Sequence, residues 1–190
     1  MVLGTRVGGT AVDCRIIGAN SVTTHHQKRE LLRLARSGHI RRLQQLLLSD
    51  VDVNFVNHKT GMTPLMTAAH AGQPASVELL LKHNADPNLR AADNASALHW
   101  ASLKGDLRVV ELLIDAVADL NVRRETGREY DGPAPIHMAI GNSHEKIAFA
   151  LIDARASVDV KYLGDTVVEF AERHGCHAVA SHLHLLGVRR

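Results

Sequence analysis

The chain has 190 residues, of which 45% are hydrophobic and 22% are charged, values ordinary for a soluble globular chain. Its 22 basic and 20 acidic residues leave a net charge of +2, which gives no electrostatic case for binding nucleic acid or an anionic membrane. Two cysteines exclude a disulfide framework and are typical of a reducing compartment. No apolar run approaches the roughly 20 residues needed to span a bilayer.

Residues 1–27 are predicted to form a flexible tail. They lack the apolar stretch of a secretory signal peptide. Arg6, Arg15 and several threonines resemble a mitochondrial transit segment, but Asp13 and the glycine-rich composition give no clear amphipathic helix. We therefore expect a tail, with import into an organelle as the alternative.

An internal repeat organises residues 28–190. Two copies, at residues 61–72 and 94–105, align without a gap at a spacing of about 33 residues. Leu31 and Gly38 open an earlier copy, which precedes its neighbour by slightly more than that spacing. Matched residue types at one spacing over a full period indicate a stack of similar structural units.

Each copy predicts a helix, a tight turn, a second helix and a hairpin loop. Thr63 is a good helix cap, and Pro64 fits the first helical turn. Gly72 ends that helix where a left-handed residue is needed, and Pro74 suits the first turn of the next helix. Asn94 replaces a loop glycine, and asparagine is the commonest non-glycine residue to tolerate a positive φ.

The later copies are looser. The fourth opens at Pro135, further along the chain than the regular spacing predicts, so five residues are inserted between Arg123 and Gly132. A last copy opens at Thr166. We expect about five repeats, of which the first and the last are atypical caps.

Two motifs carry a resemblance to a known family. Thr63-Pro64-Leu65 with the later Gly72, and Leu98-His99 in the next copy, resemble the ankyrin repeat, whose signature is T-P-L-H-x-A at a period of about 33 residues. The resemblance covers roughly residues 28–186. It implies an all-α solenoid of stacked helix-turn-helix units with hairpin loops. The residues that carry the repeat motif are Thr63, Pro64, Leu65, Leu98, His99, Ile136 and His137.

Four positions depart from the family pattern. Met66 and Glu169 replace the signature histidine, and Val117 and Arg155 stand where the family usually has glycine after the second helix. We expect strain or a different turn at the last two. Where the histidine is present, the resemblance implies that it bonds backbone and ties one repeat to the next, which makes a catalytic role for His99 and His137 the weaker reading.

The resemblance also implies that hairpin tips and first helices form a concave surface that binds a partner protein. Side chains there vary between copies while the framework repeats, as expected for such a surface. The positions carried over are Lys59, Thr60, Met62, His70, Ala71, Ala92, Asp93, Ala95, Leu103, Lys104, Gly141 and Asn142.

The insertion and the single tryptophan give two further hypotheses. Residues 124–132 should form an elongated hairpin within this surface, carrying both charge signs and Tyr130, and we predict that it touches the partner. Trp100 fills space between repeats or, alternatively, anchors a partner.

The C-terminal segment is rich in potential zinc ligands, and a metal-binding or enzymatic role is the alternative function. The spacing is poor, because ligands two residues apart on a helix point to different faces. A histidine-rich helix that caps the end of the stack accounts for the same residues. The residues are His174, Cys176, His177, His182 and His184.

The function predicted from the sequence is protein binding by an adaptor, scaffold or inhibitor. With no phosphate-binding glycine loop and no nucleophile elbow, we assign no catalytic residue, metal or cofactor. The expected partner is an unidentified protein, with no nucleic acid, membrane or small-molecule substrate. We expect a cytoplasmic location, with the nucleus also open. The resemblance implies that Asn88 or Asn121 could be hydroxylated; the simpler reading is hairpin stabilisation.

Overall fold

The structure is a computed structural model that describes residues 14–125 and 132–188. Within these ranges the chain forms five consecutive pairs of helices, which confirms the all-α repeat fold. One isolated antiparallel bridge, between Tyr162 and Asp165, lies between the fourth and fifth pairs. The helices are α1 (Cys14–Ser37) and α2 (Ile40–Leu47), α3 (Pro64–His70) and α4 (Pro74–Lys82), α5 (Ala97–Lys104) and α6 (Leu107–Asp115), α7 (Pro135–Gly141) and α8 (Glu145–Asp153), and α9 (Val167–Arg173) and α10 (His177–Leu185).

The helix pairs stack as two layers. The first helices pack in the order α1, α3, α5, α7 and α9, and the second helices pack in the order α2, α4, α6, α8 and α10. Each unit therefore meets mainly its two neighbours, which is the arrangement of a solenoid.

One repeat position forms the centre of the core in every unit. Leu31, Leu65, Leu98, Ile136 and Val168 lie at this position, and none is more than 1% exposed. They belong to one contiguous apolar cluster that extends from the first unit to the last. Each buried aliphatic side chain stabilises the fold by about 1.5–3 kcal/mol, so adding units extends a single core.

The predicted helix starts are present. The Thr63 side chain accepts a hydrogen bond from the backbone N–H of Met66 at 3.2 Å, and Pro64 and Pro74 are the first residues of α3 and α4. A capping side chain and a proline satisfy or remove backbone donors that have no partner inside the helix.

Left-handed residues end the helices, as the glycine pattern predicts. Gly105 follows α5 with a φ of 88°, and the imidazole of His144 from the next unit lies where a Cβ would project. Asn94 has a φ of 60°, as expected for its place in the hairpin. Val117 and Arg155 also have positive φ, 59° and 66°, so the family's glycine conformation is kept with strained residue types.

Helix α1 is much longer than the other first helices. It has 24 residues, whereas α3, α7 and α9 have 7 each. It therefore includes residues 14–27, which the sequence analysis assigned to a flexible tail; no proline lies in that stretch to end a helix. Residues 1–13 lie outside the described ranges. Across the described ranges, no helix combines the length and the apolar character required to cross a bilayer.

Candidate partner-binding surface

We use the term inner face for the surface made by the hairpin tips at residues 57–62 and 90–95 and by the solvent-exposed side chains of α3, α5 and α7. Most of the residues that the sequence analysis placed there have exposed surface. Lys59, Thr60, His70, Ala92, Lys104, Gly141 and Asn142 are exposed, and Met62, Ala71, Asp93 and Leu103 are half-buried.

Ala95 is the correction to this set, because its side chain is fully buried. The Ala95 N–H donates to the Asp93 carboxylate at 3.2 Å, and its carbonyl accepts from the Ala91 N–H at 2.9 Å. These bonds turn the returning arm of the hairpin so that Ala95 points into the stack. Ala95 lies in the hairpin, but its side chain is directed into the core and not toward solvent.

The hairpin tip of the first unit is built by its own polar groups. The side chain of Asn57 accepts from the Lys59 N–H at 2.9 Å, its backbone N–H donates to the Met62 carbonyl, and its carbonyl accepts from the Gly61 N–H. The tip therefore holds Lys59 and Thr60 in solvent on a defined backbone. Asn57 was missed by sequence reasoning, although asparagine before a glycine turn was a usable signal.

Trp100 lies at the centre of a polar and aromatic cluster that joins the second and third units. The edge of the His70 ring meets the Trp100 ring at a centroid distance of 4.9 Å, and the Arg124 guanidinium carbon lies 5.3 Å from the centroid of the indole. Arg124 also forms an ion pair with Asp93. We call these four residues the Trp100 cluster.

The electrostatics of the Trp100 cluster are balanced internally. Burial disfavours the charged form of Asp93, but hydrogen bonds from Arg124 and from the Ala95 N–H outweigh it and hold the pKa of this carboxyl below its ordinary value. The sequence places Arg124 at the start of the inserted hairpin but does not pair it with Trp100 or Asp93. Its contact with Trp100 comes from the stacking of units, which sequence spacing does not reveal.

Both signature histidines bond backbone, as the resemblance implied, and His99 also bonds to the next unit. His99 Nδ1 accepts from the Ser96 N–H at 3.1 Å, and its Nε2 lies 3.2 Å from the carbonyl oxygen of Pro133 in the next unit. His137 Nδ1 accepts from the Ala134 N–H at 3.2 Å. Burial lowers the pKa of His99 to about 4, so the imidazole is neutral at physiological pH.

Three asparagines connect successive hairpins. The side-chain oxygens of Asn54, Asn88 and Asn121 accept from the N–H groups of Asp86, Asp119 and Ser157 in the following units, at 2.8, 2.7 and 2.7 Å. Asn88 also donates to the carbonyl of Val117 at 3.3 Å. Asn88 and Asn121 therefore stabilise the hairpins and also link successive units. Their hydroxylation stays a prediction.

The inserted hairpin is described only at its base. The Arg124 N–H donates to the Pro133 carbonyl at 3.2 Å, and the Arg123 side chain donates to the Gly132 carbonyl at 3.1 Å. The Glu125 N–H donates to the Asp93 carbonyl at 2.9 Å, which fixes the outgoing arm to the previous hairpin. Tyr130, predicted to touch a partner, lies outside the described residues.

The C-terminal histidines and the cysteine have separate environments. Cys176 is buried and directed at the Ile140 carbonyl at 3.5 Å, and burial raises the pKa of its thiol. His174 bonds to the Phe170 carbonyl, and His182 meets the Phe149 ring. Within residues 14–125 and 132–188, no three His, Cys, Asp or Glu side chains are grouped to hold a metal ion.

The layers, the hairpins and the inner face define a repeat protein of the helical solenoid class. Family models described as "Ankyrin repeats (3 copies)" and "Ankyrin repeats (many copies)" match residues 31–124 and 98–152. The chain belongs to the ankyrin-repeat family. Ankyrin repeats generally mediate interactions between proteins and are generally not enzymes.

Similar curated proteins carry these repeats inside much longer chains. The mitochondrial disaggregase of Bos taurus is 28% identical over 142 residues, which is 74% of this chain and 20% of the disaggregase. The transient receptor potential cation channel subfamily A member 1 of Homo sapiens is 30% identical over 60% of this chain and 10% of the channel. The inactive serine/threonine-protein kinase TEX14 of Bos taurus is 31% identical over 52% of this chain and 7% of the kinase. The chain thus spans a fifth or less of each of these relatives.

Proposed function

We propose that this chain is a protein-binding module that acts by occupancy, as an adaptor, scaffold or inhibitor, and that the inner face contacts the partner. The observation that carries the proposal is the contrast between framework and surface. The core position is aliphatic and buried in all five units, whereas equivalent inner-face positions differ in size and charge from unit to unit.

The Trp100 cluster is the proposed anchor within the inner face. Tryptophan and arginine dominate the binding energy of protein interfaces because they combine large area with directed polar groups. Trp100 is half-buried and contacts both the His70 ring and the Arg124 guanidinium. An aromatic fixed in this way loses little side-chain entropy when a partner covers it.

Two lysines of the inner face provide the test. Lys59 and Lys104 are exposed on the inner face. We expect the double charge reversal Lys59→Glu with Lys104→Glu to lose partners in affinity capture from a cell extract, followed by mass spectrometry. Each exposed charge contact contributes about 0.2–1 kcal/mol, so reversal of both should weaken binding by about tenfold or more.

The matched control changes the same charge on the second-helix layer. Arg41 on α2 and Lys146 on α8 are exposed, and Arg41→Glu with Lys146→Glu should retain the captured proteins. Circular dichroism should show that both variants keep their helices. If both variants capture the same proteins as the wild type, the inner face is not the binding surface.

The cellular location remains a proposal as well. The small number of cysteines favours a reducing compartment such as the cytoplasm. Imaging of the tagged chain with and without residues 1–27 tests this: an organellar signal that depends on those residues would replace the cytoplasmic assignment.

A further inference from the structure

A groove lies between the long first helix and the first hairpin, apart from the Trp100 cluster. Its volume is about 660 Å³, and residues of α1 form one wall while residues 55–59 form the other. In later units a hairpin from the preceding unit precedes the first helix, whereas here the added length of α1 takes that place along the chain. The groove is within the size range of sites that bind small ligands and peptide side chains.

The groove has positive walls. Lys28 and Arg29 on α1 and Lys59 on the hairpin line it, and no carboxylate is among its lining residues. None of these three cations forms an ion pair with any residue in the part of the chain that the structure describes.

Three carboxylates lie close to the groove along the chain without lining it: Glu30, Asp50 and Asp52. Glu30, on the same helix, is bonded to the Arg33 guanidinium at 2.7 and 2.5 Å. Asp52, at the start of the hairpin, accepts from the Asn54 N–H at 3.0 Å. The lining of the groove itself therefore has three cations and no carboxylate, in contrast to the Trp100 cluster, where Asp93 pairs with Arg124. Asp50 and Asp52 line a second pocket that Lys28 also borders, so they reduce the positive potential beside Lys28 without lining the groove.

The groove also has apolar surface. Phe55 forms part of the lining and is only 8% exposed, and Leu32 and Val56 line the groove beside it. The Lys28 ammonium nitrogen lies 5.4 Å from the centroid of the Phe55 ring, so the cation is held at the edge of the apolar patch. A ligand that has both carboxylates and an apolar side chain would complement the cations and the apolar surface of the groove.

We propose that this groove binds an acidic peptide segment of a partner protein, with carboxylates against Lys28, Arg29 and Lys59 and an apolar side chain against Leu32 and Val56. Charge complementarity selects this occupant over the chain's own residues 1–13, which contain one arginine and one aspartate and hence no net negative charge. The site is separate from the Trp100 cluster, although Lys59 belongs both to the groove and to the inner face.

The test uses the full-length chain and a fluorescein-labelled hexapeptide with two glutamates on each side of a Leu-Phe pair. Binding is followed by fluorescence anisotropy at low salt. We expect saturable binding that weakens with added salt, because exposed ion pairs are screened. The variant Lys28→Glu with Arg29→Glu should bind at least about tenfold more weakly. Lys59 is left unchanged, so this variant alters the groove without altering the inner face. Because Lys59→Glu in the inner-face test also alters the groove, Lys104→Glu alone distinguishes the two surfaces.

The matched control is Arg41→Glu with Arg42→Glu, which makes the same charge change at two exposed positions on α2. It should retain the affinity of the wild type. Two control peptides, with glutamines in place of glutamates or alanines in place of Leu-Phe, should each bind several-fold more weakly. Equal loss in both protein variants, or equal binding of the glutamine peptide, would overturn the proposal.

Other occupants predict different results. If residues 1–13 or a second copy of the chain fill the groove, the hexapeptide will not bind the full-length chain; light scattering that reports a dimer dissociated by the Lys28/Arg29 reversal would identify the second copy. A short DNA duplex that binds more tightly than the hexapeptide, and with the same loss on reversal, would assign the groove to nucleic acid. Each of these results contradicts a peptide site.

Discussion

Different side chains perform the same task at the start of three first helices. His99 and His137 accept the backbone N–H of the residue three positions earlier through Nδ1. Glu169 accepts the corresponding N–H of Thr166 through Oε2 at 2.9 Å. The departure of Glu169 from the family pattern thus preserves a capping box with a carboxylate in place of an imidazole.

The burial of His99 leads to a prediction about pH. Its pKa is about 4 in the folded state against 6.5 for the ordinary group, so the unfolded chain binds more protons between these values. The free energy of unfolding contributed by His99 is fully present above pH 6.5 and falls as the pH drops toward 4. Between pH 6.5 and pH 4 the free energy of unfolding falls by about 3 kcal/mol because of His99.

Urea unfolding at about pH 7 and about pH 5 measures this term. We expect the wild type to lose about 2 kcal/mol more than His99→Gln between these conditions, because glutamine can keep the cap and does not titrate. His58→Gln removes an exposed histidine and serves as the control. An equal loss in wild type and His99→Gln would show that His99 is not the source.

Backbone strain at Val117 gives a prediction of the opposite sign. Val117 has a φ of 59° and a side chain that is 80% exposed, so it has the cost of the left-handed conformation with little packing in return. We expect Val117→Gly to raise the free energy of unfolding by about 1 kcal/mol. Ala116→Gly, at an ordinary φ of −82°, should lower it instead. Denaturant unfolding of both variants measures the difference, and a Val117→Gly chain less stable than wild type contradicts the interpretation.

At the scale of elements, the hairpins link neighbouring units in two ways. Asn54, Asn88 and Asn121 bond forward along one side, and Glu125 bonds back to Asp93 at the base of the inserted hairpin. The insertion therefore begins and ends on backbone that is already fixed, and its length is independent of the stack.

Shortening this hairpin tests its function. Deletion of residues 126–130 restores the regular spacing of the repeats and should leave the helical signal and the melting temperature nearly unchanged, because a change in loop length costs only tenths of a kcal/mol. We expect affinity for the partner captured by the inner face to fall. Unchanged affinity would mean that the hairpin makes no contact; a collapse of the melting temperature would mean that it belongs to the fold.

At the scale of the whole molecule, stability should follow a one-dimensional stack. Leu98 in α5 and Leu183 in α10 are both fully buried, but α5 has a unit on each side and α10 belongs to the last unit. Leu98→Ala and Leu183→Ala should each cost about 2–5 kcal/mol locally. We expect the first to speed hydrogen exchange in units on both sides, and the second to speed it mainly in α9 and α10. Uniform acceleration by Leu183→Ala would indicate one cooperative globule.

The sequence predicts the framework better than the surface, for a physical reason. Gly72, Thr63 and His99 have roles set by local backbone chemistry, which recurs with the period and is visible in one chain. The burial of Ala95, the contact of Arg124 with Trp100 and the groove beside Phe55 depend on how neighbouring units are placed. The length of α1 was also missed, because no second copy of that stretch exists for comparison.

Two of the glycines that end first helices are covered by a side chain from the next unit: Gln73 lies over Gly38, and His144 lies over Gly105. The end of each of these helices therefore packs against a particular side chain of the following unit. Units exchanged within the array would meet a different covering side chain, so the fit of each unit depends on which unit follows it along the chain.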